Sequence, residues 1–112
     1  MTTTIINRDG LTNYKACVFN LFKGRHEMPF EDAPAIFSGE TSPMDFSGLE
    51  YEAMNSMNPA LNMPTWRAVV YVTGLTMATV AVINVCRRMG IELVLMHYDR
   101  DTGAYKPQFV EE

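Results

Sequence analysis

An α/β fold, built as a mostly parallel sheet with a C-terminal antiparallel edge hairpin, is predicted by three observations. Arg67 to Asp99 reads as a continuous apolar run, a Thr-Gly-Leu-Thr junction, about fifteen helix-compatible residues and a second apolar run, the pattern of a buried parallel strand–helix–strand unit. The connections inside that unit are short, as in such crossovers. Beyond Asp99, Arg100-Asp101-Thr102-Gly103 forms a hairpin loop. Tyr105 to Val110 then returns as an antiparallel strand that must lie at an edge, because Pro107 has no N–H to donate.

The remaining elements follow in chain order. Thr3 to Ile6 is a short β-branched run ending in the turn-forming cluster Asn7-Arg8-Asp9-Gly10, which places a first strand there. Tyr14 to Phe22 is read as a second strand, with a helical segment as the alternative. Lys23 to Pro43 contains three prolines and two glycines, so it is expected to be loop with at most a short helix around Glu31 to Phe37. Ser42-Pro43-Met44-Asp45 has the form of a helix start, while Gly48 weakens a helix reaching Asn55. Met54, Met57, Leu61 and Met63 supply apolar anchors, and Pro59 and Pro64 close the region. The helix from Leu75 to Met89 ends at Gly90, where a left-handed cap is wanted. It is apolar on more than one face, so it needs cover on two sides: the sheet on one and, in this reading, a second subunit on the other.

A chain of 112 residues with 47% apolar content is the size of one domain and can bury a core. The formal net charge of −4 excludes a general binder of duplex nucleic acid, which needs a basic surface, but leaves room for a small anionic ligand. The N-terminus lacks the form of a signal peptide. The stretch Ala68 to Cys86 is broken by Thr73, Gly74, Thr76, Thr79 and Asn84, which argues against a membrane span. Cys17 and Cys86 both lie in apolar runs and read as buried thiols of a cytoplasmic protein rather than a disulfide.

The chemistry concentrates at the strand–helix junction. Gly74 lets an anion approach the backbone, Thr73 and Thr76 carry hydroxyls, and the first-turn amides and helix dipole favour negative charge. The plainer reading is an ordinary helix cap with Thr76 in solvent. Arg8, Lys15, Lys23, Arg25 and His26 are candidate cations and acids, with Lys23-Gly24-Arg25-His26 the densest basic cluster. That cluster is either a loop that closes over a ligand or a solvated charged loop. His97, near the carboxyl end of its strand, is a candidate general base or a half-buried sheet residue, and Tyr98 must point to the opposite face. Arg87 and Arg88 suit the helix carboxyl end and read as structural. The methionines read as core filling or as an adaptable surface, and Trp66 as a packing anchor or a stacking platform for a base. No zinc-type ligand spacing is present, and no metal is expected.

Thr-Gly-x-Thr after an apolar strand, a helix rich in Ala, Met and Val, Gly90, a second apolar strand and Tyr98-Asp99 with a following Thr-Gly together resemble the Thr-Gly-Gly-Thr-Lys region of the CRISPR-associated Rossmann-fold domains and of the small ring nucleases related to them. The resemblance covers roughly the last 45 residues. It implies a single Rossmann-like domain over residues 1–112, forming a homodimer that binds a cyclic oligoadenylate of type III CRISPR defence. Cleavage, where it occurs, would be by metal-independent attack of a ribose 2′-hydroxyl on phosphate, with no cofactor. The ligand would then be held by Thr73, Gly74, Leu75 and Thr76, with Asn7, Arg8 and Arg25 from the amino-terminal part, and catalysis would draw on His97, His26 and Lys23. Leu75 replaces the family's second glycine and Met77 its lysine, so positive charge must come from elsewhere. The alternative is a non-enzymatic interaction or ligand-sequestering module of a phage or defence system. A Walker-type Gly-Lys-Thr and a full Gly-x-Gly-x-x-Gly are both missing, which disfavours other nucleotide enzymes.

Overall fold

The computed structural model describes residues 3–6, 14–22, 33–62 and 66–111. Among them run β1 (Thr3–Ile6), β2 (Tyr14–Phe22), β3 (Ala35–Phe37), α1 (Phe46–Met57), a 3₁₀ turn (Asn58–Asn62), β4 (Arg67–Tyr71), α2 (Thr76–Met89), β5 (Glu92–Asp99) and β6 (Ala104–Val110). The strands form one sheet in the order β1-β2-β4-β5-β6. β2, β4 and β5 are mutually parallel, with Cys17 opposite Ala68 and Tyr71 opposite Met96, and β6 closes the far edge antiparallel to β5. The α/β class, the parallel centre and the C-terminal edge hairpin are as the sequence predicts.

Three elements differ from expectation. Glu31 to Phe37 does not end in a short helix: Ala35–Phe37 is a strand, parallel to β2 through Asn20 opposite Ala35 and Phe22 opposite Phe37. Ile36 and Phe37 are both buried there, so this short segment is fixed by burial against the edge of β2 rather than by any local pattern. β1 is antiparallel to β2, giving the sheet a second antiparallel edge. α1 runs through Gly48 and past Asn55, because Asp45 caps it by accepting a hydrogen from the Gly48 amide at 3.0 Å. A β-carbon at residue 48 would meet that carboxylate.

Asn20 is paired with Tyr71 on one side and Ala35 on the other. β3 therefore lies beyond β2, sharing with β1 the edge away from β4. The chain steps from β2 outward to β3, returns past β2 to β4, and continues to β5. Strand order thus reverses between β2 and β4, and in open α/β sheets ligands bind outside the carboxyl ends of the strands at such a reversal.

The steps β3 to β4 and β4 to β5 move the same way across the sheet, so crossovers of one hand put α1 and α2 on the same face. The packing agrees. Leu49, Ala53 and Met57 of α1 and Ala78, Val82 and Val85 of α2 share a core with Phe19, Val70 and Leu95 of the strands. Alternate strand residues Ala16, Val18, Val69, Tyr71, Val94 and Met96 form a second cluster on the opposite face with Ala33. Strands buried on both faces explain why they read as continuous apolar runs. Cys17 and Cys86 are both buried, and burial pushes the Cys86 thiol up to about 12. Trp66, by contrast, is half-exposed at φ +49° instead of anchoring the core.

Val72 donates to the Met96 carbonyl at 3.0 Å and Glu92 to the Trp66 carbonyl at 2.9 Å. Even-numbered residues of β5 therefore turn their peptide groups toward β4. Met96 stands opposite Pro107, so Pro107 turns its nitrogen away from β5, where a missing donor breaks no ladder bond.

Candidate functional site

β4 ends at Tyr71, and Val72 still bonds to β5 before the chain turns away. Gly74 takes the left-handed φ of +66°, and the Leu75 amide closes a tight turn onto the Thr73 carbonyl at 2.9 Å. Leu75 is the cap residue of α2 and has no side-chain acceptor. Its carbonyl receives the Thr79 amide and the Thr79 hydroxyl, each at 3.2 Å. The amides of Thr76, Met77 and Ala78 precede the first intrahelical bond, and neither the cap side chain nor an acidic first-turn residue answers them. Such a helix start carries partial positive charge aimed outward.

Access differs along the junction. Gly74 and Thr76 are exposed, and among the described residues, chain neighbours aside, no atom lies within 4 Å of the place a Gly74 β-carbon would occupy. Leu75 is half-buried and packs against the main core. The Thr73 hydroxyl is buried and has no hydrogen-bond partner among the described residues. The groups open to solvent are the backbone around Gly74 and the Thr76 side chain.

The two helices both run antiparallel to the central strands and start at the same end of the sheet. A groove of about 350 Å³ lies between them, lined by Phe46, Glu50, Thr76, Met77, Val80 and Asn84. Arg88 donates to Glu50 at 2.8 Å and Asn84 at 3.1 Å. These bonds, from Arg88 first and Asn84 second, hold the Glu50 carboxyl below the usual range.

His97 lies at the carboxyl end of β5, one residue past the Met96 that pairs with Tyr71. Strand alternation puts it on the helix-bearing face with Leu93 and Leu95, at the same end as the junction. Its side chain is exposed, and Nε2 is 2.8 Å from Gln108 Oε1. Tyr98 falls on the opposite face as predicted, edge-to-face with Tyr105 at 5.4 Å, and Tyr105 in turn packs on Tyr71 at 4.9 Å.

The structure therefore brings Thr73, Gly74, Leu75, Thr76 and His97 to one end of the sheet. Asn7, Arg8, Lys23, Arg25 and His26 lie outside the described residues. Arg87 and Arg88 sit in the last turn of α2, bonded to the Glu111 carbonyl at 3.0 Å and to Glu50, which are structural contacts. Asn20 was not singled out from sequence, although it is an amide inside the apolar run Ala16–Phe22. It is buried at the β2 end of the strand-order reversal and donates to the Ala33 carbonyl at 3.4 Å.

Among the described residues no helix is long and apolar enough to cross a membrane, and no group of three or more His, Cys, Asp or Glu is placed to hold a metal ion. No protein-family model, curated protein or solved structure matches this chain significantly.

Proposed function

We propose that the β4–α2 junction binds the phosphate of a nucleotide, and that the ligand is a cyclic oligoadenylate. The observation that carries the reading is the first turn of α2: among the described residues no side chain caps its amides and none crowds Gly74, and Thr76 is exposed. Backbone amides at a helix start are an anion site of general use. The position beside the reversal of strand order supports the same reading. The choice of a cyclic oligoadenylate, and its setting in type III CRISPR defence, rests on the resemblance of the last 45 or so residues. A two-fold symmetric ring suits a homodimer of the chain.

Cleavage in this reading needs no redox chemistry. A ribose 2′-oxygen attacks the adjacent phosphorus and the bond to the 5′-oxygen breaks. The products are a 2′,3′-cyclic phosphate and a 5′-hydroxyl. His97 is the candidate base for the 2′-proton, while Lys23 and His26 are candidates to stabilise the phosphorane and protonate the leaving oxygen.

The test is incubation of the pure protein with labelled cyclic tri-, tetra- and hexa-adenylate, with and without a chelator. Linear products formed in the chelator are the result expected of a metal-independent ring nuclease. Intact ligand retained on the protein assigns a sequestering module instead. Thr76→Ala is expected to weaken binding several-fold, and absence of both binding and cleavage across all ring sizes overturns the proposal.

A further inference from the structure

We draw no further inference here: the strongest candidate, the groove between α1 and α2 lined by Phe46, Met77 and Val80, opens from the Thr76 end of the site already described, and nothing in the structure shows what covers its apolar length.

Discussion

The Asp45 carboxylate accepts the Gly48 amide at 3.0 Å, so α1 begins with its own anion in place, whereas α2 begins at Leu75 with no side-chain acceptor. Two helices that start at the same end of the sheet thus differ in the one property an anion would sense. Among the described residues, α2 and not α1 is the helix start whose first-turn amides no side chain caps.

Thr76→Asp puts a carboxylate at the first position of α2 without removing buried surface, since Thr76 is exposed. An acid in the first turn is stabilising by about 0.3–1 kcal/mol. The variant is expected to unfold in urea at the same or slightly higher midpoint than the wild type, and to lose nucleotide binding through repulsion of phosphate. Retained affinity for cyclic oligoadenylate in a folded Thr76→Asp protein places the phosphate elsewhere.

Thr73→Val tests the neighbouring residue. The Thr73 hydroxyl is buried with no hydrogen-bond partner among the described residues, and an unanswered buried polar group costs about 1–3 kcal/mol. A methyl of similar size in its place is expected to leave stability unchanged or raise it by about 1 kcal/mol. Affinity for the nucleotide measured on the same protein then separates two roles. Unchanged binding leaves recognition to the amides and Thr76, and a fall in affinity shows that the hydroxyl turns toward the ligand when it binds.

How far all this is written in the sequence depends on where each signal originates. The run Arg67 to Val110 is legible because its patterns are local: apolar runs for β4 and β5, a glycine at each end of α2, and Pro107 marking an edge. β3 is not legible, because Ile36 and Phe37 are buried by pairing with the far half of β2 and nothing within Ala35–Phe37 encodes that partner. Gly48 misleads for a related reason: its low helix propensity is offset by the Asp45 cap, which a β-carbon at residue 48 would obstruct. At the site, the type of each residue is readable but its access is not. Thr73 and Thr76 are the same amino acid three positions apart, yet the turn at Gly74 buries one hydroxyl and leaves the other side chain exposed. Nor does a sequence show that Asn84 and Arg88 both reach Glu50 across the helix pair.

The Glu50 contacts give stability a predictable acid dependence. Hydrogen bonds from Arg88 and Asn84 lower the carboxyl of the folded protein. The folded state therefore favours the ionised form, and its contribution is complete above the unfolded value and lost as pH falls through the folded one. Wild type is expected to exceed Glu50→Gln in stability at neutral pH, with the two curves converging only as pH falls below the ordinary carboxylate range. The gap should also narrow in high salt, since Arg88 is exposed and such pairs are screened. Urea titrations of both proteins from pH 7 to pH 3 check this, and curves that stay parallel throughout show that the pair contributes nothing.

Pro107 faces the outer side of β6, where Tyr105 and Phe109 also turn their peptide groups by strand alternation. It removes the central donor from an edge with partly apolar character, Phe109 being about half exposed. Edge strands with a full row of donors are templates for another chain, and a proline in the row is one way proteins prevent it. Pro107→Val restores the donor and adds a β-branched side chain suited to strands, while the pairing with β5 is untouched because the nitrogen points away from it. The variant is expected to fold with wild-type stability yet to associate more strongly, read as a rise in weight-average sedimentation coefficient with concentration beyond that of the wild type. Identical sedimentation of the two proteins over the same concentration range shows that the edge is guarded by something other than the missing N–H.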